Sequence, residues 1–218
     1  MTPAPRTLSF LAPTAGAVAS ALAYPFLPEQ VATHFDAAGQ PDRYSSRVNA
    51  ALTMPAMMAA LDLANMLFGV WPGGRDRTDD GSATRARTQV LGMTEVALLA
   101  HHISVLARGV GLPIDIGRVD RGIFGSLLVG LGDVLPKVPR NGLVGIRTPW
   151  TLADPVVWER TQRFGGYLVT AAGILTLGSV PWKGKWAGRV PQVAVLSAAT
   201  LSSVYSLLLY RQKGRSPH

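Results

Sequence analysis

The 218-residue sequence has no cysteine, which excludes disulfides, thiolate metal sites and a cysteine nucleophile and leaves the redox compartment unread. It is short of charge, with 16% Asp, Glu, Lys and Arg where soluble domains run near 25%. Acidic residues are scarcest, 13 Asp and Glu against 21 Lys and Arg for a net charge of +8. Charge this sparse and lopsided fits neither a disordered chain nor a nucleic-acid binder. A G-x-S-x-G elbow, an H-E-x-x-H pair and a phosphate loop are all missing. The sequence therefore reads as no enzyme, without cofactor or dedicated metal site.

What is present is apolar: 48% of the residues, with a mean hydropathy of +0.22. About 20 apolar residues cross a bilayer as a helix. Residues 7–28, 164–182 and 190–210 carry no charge, and 48–74 only Asp62 up to Gly74. Two weaker stretches are 89–107, holding Glu95, His101 and His102, and 122–135, holding Asp133. A soluble bundle needs polar faces at helical spacing, and the last two uncharged stretches have none. The expected fold is all-α: a polytopic integral membrane protein of about six transmembrane helices, with the lipid bilayer as its partner. Its expected organisation is an N-terminal module over 1–72, a polar cytoplasmic linker over 73–88 and a C-terminal region over 89–218. Arg6, the apolar run and Ala21-Leu22-Ala23 mimic a signal peptide. The run exceeds a signal core and Pro25 follows the would-be cut, so a retained first helix is expected.

With six spans, Arg6, the linker arginines (Arg75, Arg77, Arg85, Arg87), the fourth connection (Lys137, Arg140, Arg147, Arg160, Arg163) and the tail share one side. That side holds most of the basic residues, which predicts both termini in the cytoplasm.

Two connections carry more pattern than tethers need. After helix one, Pro28 stops the helix, Asp36 to Gly39 reads as a turn, and Pro41-Asp42 as another. His34, beside Phe35 and Asp36, is weak metal evidence; bracing of an ordered outer loop by His34 and Asp42 is the plainer reading. The second runs through Asn141 and Gly145-Ile146-Arg147-Thr148-Pro149-Trp150-Thr151-Leu152. There Arg147 offers a five-donor fork for a carboxylate, a phosphate or backbone carbonyls, and Trp150 a headgroup-level anchor. Asp154-Pro155 is N-cap and first-turn chemistry for a short interfacial helix that includes Trp158.

On these two stretches the chain resembles the SdpI family of bacterial immunity proteins. Leu27, Pro28, His34, Phe35, Gly39, Pro41 and Asp42 match the family's N-terminal module. Leu135, Pro136, Lys137, Asn141, the Gly145-to-Leu152 run, Trp158, Thr161 and Gly166 match its C-terminal signature over 132–166. Ala32, Asp133 and Gln162 depart from the expected proline, asparagine and histidine. The resemblance implies a membrane protein of about six helices giving immunity to a secreted toxic peptide that attacks membranes. In one system it also implies sensing of that peptide, with a cytoplasmic autorepressor as partner.

Two other function classes stay open. Asp62, Glu95, His101, His102 and Asp133 are costly in hydrocarbon and call for a partner or a wet cavity; they could form an ion or proton path or simply fix helix packing. The chain could instead be a scaffold or signalling partner for a soluble regulator. Small residues such as Gly125, Gly132, Gly166 and Gly173 predict close helix contacts.

Overall fold

Helix α1 (Leu11–Ala23) ends where Pro25 removes a backbone donor, and the chain tightens into a 3-10 turn at Tyr24–Phe26. At 1.5 Å per residue α1 is roughly 20 Å long. Pro28 then turns the chain into two antiparallel strands, β1 (Gln30–Phe35) and β2 (Pro41–Ser46). Helices α2 (Arg47–Val70), α3 (Ser82–Gly109), α4 (Ile116–Val134), α5 (Pro149–Ala153), α6 (Pro155–Gly178) and α7 (Lys185–Lys213) follow. These elements come from a computed structural model that describes residues 10–70, 82–141 and 144–213, the side chains of 68–70 excepted. Arg6, most of the expected linker (Arg75 and Arg77 included) and the last residues of the tail lie outside the described residues.

The contacts divide the chain into two units. The first takes 1–75, 94–123 and 182–188; the second takes 76–93, 124–181 and 189–218. In the first, Leu27, Val31, Ala50, Val105 and Leu106 form the apolar core, with Ala19, Ala23 and Phe35 packed on it. Gly16 of α1 lies against α2, since a Cβ there would come 2.8 Å from Met58 Cε. In the second, Ala86, Val134, Val138 and Trp158 form the core, with Val90, Met93 and Val144 around them. A glycine seam lets α4 and α6 approach. A Cβ on Gly132 would meet Thr170 Oγ1 at 2.2 Å, and one on Gly173 would meet Gly125 O at 2.8 Å. This is the close small-residue packing of membrane helices.

Helix α7 is built inside out. Ala198, Ser202 and Ser206 are buried, while Val193 (62% exposed), Leu196 (66%), Leu201 (51%), Val204 (50%) and Leu208 (51%) point away from the protein. Water would penalise such a surface by about 25 cal/mol per Å² of apolar area; hydrocarbon does not.

Three expectations are met only in part. The chain is mostly helical rather than purely so: the outer loop is a β-hairpin, because Gly39 at φ +77° and the Asp36 turn bring the two arms together. Six spans were expected, and among the described residues three helices are long and apolar enough to cross a membrane: 47–67, Ser82–Gly109 and Lys185–Lys213. Charges explain the difference in α4 (Arg118, Asp120, Arg121, Asp133) and α6 (Glu159, Arg160, Arg163). Finally, Arg85 and Arg87 sit in the first turns of α3 rather than in a linker, and the expected interfacial helix is the start of α6.

Candidate functional site

The hairpin of the first unit is locked from within. Asp36 Oδ1 accepts from the amides of Ala38 (2.8 Å) and Gln40 (2.9 Å), and the Asp36 amide donates to Gln40 O at 2.8 Å. His34 Nδ1 meets Asp42 Oδ1 at 2.5 Å across the strands, the bracing pair expected from the sequence. Thr33 and Ser45 hydroxyls bond at 2.9 Å beside a bulge between Ala32 and His34. Phe35 lies under the Arg108 guanidinium, 5.4 Å from its ring centroid. Gly39 matters for approach as well as for φ: its Cα lies 3.0 Å from where a Gly117 Cβ would sit. A Cβ on Gly188 would lie 1.7 Å from Ala37 O, so the tip of the hairpin rests on the first turns of α4 and α7. Pro28 precedes the hairpin, and Pro41 follows its turn at the first position of β2.

Behind it lies a group of buried ionisable residues. Asp62 is 5% exposed, Glu95 9% and His102 1%. The carboxyls of Asp62 and Glu95 are neighbours, and Asp62 Oδ2 accepts the Phe10 amide at 2.6 Å. Two acids side by side within apolar spans are costly and call for a partner. Ser20 Oγ donates to Ala51 O at 2.6 Å. The same hydroxyl lies 2.8 Å from His102 Nε2, and the imidazole also bonds the Gly16 backbone. His101 turns elsewhere and pairs through Nδ1 with Asp120 Oδ1 at 2.7 Å. Glu95 and His102 thus share a buried face while His101 leaves it. Asp133 belongs to the second unit, exposed and paired with Lys137 at 2.7 Å.

In the second unit the signature stretch is a hydrogen-bonded corner. Asn141 Nδ2 donates to Pro139 O at 2.7 Å and its Oδ1 accepts from the Val144 amide at 2.8 Å. Gly145 has φ +120°, and a Cβ there would lie 3.0 Å from both Gln162 Oε1 and Trp158 Cη2. Gln162, fully buried, accepts from the Ile146 amide at 2.9 Å and donates to Ile146 O at 3.0 Å. Thr148 caps α5 in a reciprocal box with Thr151, and Pro149 takes the first helical position. Trp150 Nε1 donates to Ser206 Oγ at 2.6 Å, and Trp158 Nε1 to Val138 O at 2.9 Å. Arg147 is exposed on the outside of the corner. Asp154 caps α6 through the Val156 and Val157 amides and meets Lys213. Its pairing with Lys213, and then the Val157 amide, hold its carboxyl below the usual aspartate range.

On the outer face of α6, a cavity of about 570 Å³ is lined by Val156, Arg160, Phe164, Tyr167 and Tyr205, with the Glu159–Arg163 pair (2.8 Å) at its edge. Gln162, Ser206, Asp120, Ser20 and the α6 cavity escaped the sequence reading. Only Gln162 left a signal there, as a departure from the expected histidine. Among the described residues no group of three His, Asp or Glu is placed to hold a metal ion.

Comparison with known proteins bears out the resemblance. Residues 14–59 match a domain of unknown function (DUF1648), and residues 137–209 match the SdpI/YfhL protein family. The immunity protein SdpI of Bacillus subtilis (strain 168) is 26% identical over 117 residues, 54% of this chain and 56% of that protein. The chain thus spans about half the length of the curated relative it matches. No solved structure matches it.

Proposed function

We propose that this chain, carrying the SdpI-family region and its N-terminal companion domain, confers resistance to a secreted, membrane-active antimicrobial peptide. The observation that carries the reading is the coincidence of the 137–209 family match with the hydrogen-bonded corner and the cavity it flanks. The corner fixes the first turns of α6, and those turns present a groove that is cationic at Arg160 and aromatic at Phe164, Tyr167 and Tyr205. Such a groove suits an amphipathic peptide lying at the membrane surface, where aromatic and guanidinium groups contact an apolar face and a carboxylate together. Sensing of the same peptide through a cytoplasmic autorepressor belongs to this reading as a secondary role.

Six crossings with both termini inside complete the proposal. They require α1, α4 and α6 to cross despite their length or charges, with the hairpin outside. In this cysteine-free chain, Ala38→Cys is then labelled by an impermeant thiol reagent in intact cells and Ala153→Cys is not; the reverse pattern overturns the orientation. For function, the chain is expressed in peptide-sensitive cells, which are challenged with membrane-active peptides. Survival at higher peptide concentration is expected, reduced at least fivefold by Arg160→Gln. Equal killing with and without the chain, across the peptides, would sink the reading.

The Asp62–Glu95 contact favours a second reading, an ion- or proton-coupled transporter component, since such pairs mark ion paths in membranes. Liposomes under a pH gradient would then show a flux that Asp62→Asn abolishes. Absence of flux with retained peptide protection removes it.

A further inference from the structure

A second cavity, of about 520 Å³, lies wholly within the first unit, between the hairpin tip and the ends of three helices. Its charged lining is Arg108 at the end of α3, Arg121 in the second turn of α4, Lys183 just before α7, and Asp115. Three cations thus face one carboxylate, and that carboxylate is engaged by Arg118, through its amide at 3.1 Å and its guanidinium at 3.5 Å. Arg108 spends one donor on Ile114 O at 2.7 Å, and its Cζ lies 5.4 Å over the Phe35 ring centroid. Arg121 is 7% exposed, a costly position for a guanidinium. One of its donors reaches Trp182 O at 2.8 Å, and its Nε has no hydrogen-bond partner among the described residues. A buried cation with a donor to spare, beside two more cations in a cavity, points to a missing anion.

The surroundings indicate which anion. Helices α3 and α7 are long and apolar enough to cross a membrane, and the cavity forms where the first ends and the second begins. Trp182 (65% exposed) and Trp186 (82%) flank Lys183, and exposed tryptophans at span ends sit at headgroup depth. We propose that this cavity binds the phosphate of an anionic phospholipid headgroup, with Arg121 as the buried anchor and Arg108 and Lys183 as flanking cations. The hairpin tip, at Ala38 to Gln40, closes the opposite wall. The site is independent of the immunity reading, sharing no residue with the α6 groove.

The test uses the full chain purified in a non-ionic detergent, with retained lipid read by native mass spectrometry against added phosphatidylglycerol and phosphatidylcholine. Phosphatidylglycerol should be retained at least tenfold better. Each cation near a headgroup contributes about fivefold, so Lys183→Gln should lower that retention about fivefold and Arg121→Gln by more. Arg160→Gln, in the α6 groove, should leave it unchanged. Lys183 is exposed and outside any helix, so its variant decides the matter even if Arg121→Gln fails to fold. Equal retention of the two lipids, or an unaffected Lys183→Gln, overturns the site. Displacement of phosphatidylglycerol by low-millimolar inorganic phosphate would assign the pocket to free phosphate and overturn the lipid.

Discussion

In the first unit the polar side chains kept from solvent are mainly ionisable: Asp62, Glu95, His102 and Arg121, joined by Ser20. In the second they are neutral: Thr151, Thr161, Gln162, Thr176, Ser179, Ser202 and Ser206. Neutral amides and hydroxyls can complete their hydrogen bonds inside the protein, and, Thr161 Oγ1 excepted, these do. Buried acids and a guanidinium cannot be satisfied so cheaply, and they persist where a proton, an ion or a ligand completes them. The second unit thus uses its polarity to hold a shape, and the first keeps polarity that can change state.

The contrast breaks most sharply at the glycine seam of the second unit. Gly132→Val would drive a β-branched side chain into Thr170 Oγ1 and the Gly166 carbonyl, and overpacking against backbone costs about 3 kcal/mol or more. Gly92→Ala, in the same unit with nothing within 4 Å of its Cβ, should instead gain about 0.5–1 kcal/mol from helix propensity. Thermal unfolding in detergent reads both, and equal melting temperatures would mean that α4 and α6 do not approach as described.

Next in size is a matched pair, one change in each unit. Gln162→Leu strands the Ile146 amide in the corner, while Ile146 O keeps the Thr151 hydroxyl, at about 1–3 kcal/mol for the amide. Asp62→Asn removes an acid but keeps an acceptor for the Phe10 amide, so a change under about 1 kcal/mol is expected. If Asp62→Asn costs as much as Gln162→Leu, the interior of the first unit is as structural as the corner, and the contrast fails. Gln162→His, the residue the family resemblance leads one to expect, should recover part of the loss because imidazole supplies one donor and one acceptor.

These variants also mark how far the sequence was readable. The corner's residues stood out as a run, because Asn141, Thr148 and Thr151 bond to neighbours close in sequence. The turn at Asp36 to Gly39 was legible for the same local reason. The β-pairing was not: Thr33, Tyr44 and Ser45 carry strand propensity too brief to separate from loop. Contacts that depend on tertiary packing were also hidden, such as Ser20 with His102, His101 with Asp120 and Trp150 with Ser206. Charge within the spans misled in a consistent way. The apolar stretch of 164–182 looked self-contained, yet α6 begins at Pro155, because Asp154 caps it there and the helix runs unbroken through Glu159, Arg160 and Arg163.

A smaller effect tests one hydrogen bond of the corner. Trp150→Phe keeps the ring and loses the donor to Ser206. Ser206 can still donate to Ser203 O, so a loss of about 1 kcal/mol is expected, visible as a shift of a few degrees in melting temperature. A larger loss would mean that the indole fixes α7 against the corner by more than this bond.

The smallest effect is one of pH, at the cap of α6. The Asp154 carboxyl is held below its ordinary range by Lys213 and by the Val157 amide. A depressed folded-state value means that its stabilisation is complete above the unfolded aspartate value, near 3.9. It is lost as pH falls through the lower, folded one. Asp154→Asn keeps an oxygen for the Val156 and Val157 amides, so the helix stays capped, but it has no charge for Lys213 and nothing to titrate. Its melting temperature should therefore lie slightly below that of the parent near neutral pH. The gap should close as pH drops below about 4. Lys213→Met in the parent should remove most of the same gap. A gap that persists unchanged at low pH would show that the cap's worth is its geometry alone, and that the second unit holds its shape without charge even at its edge.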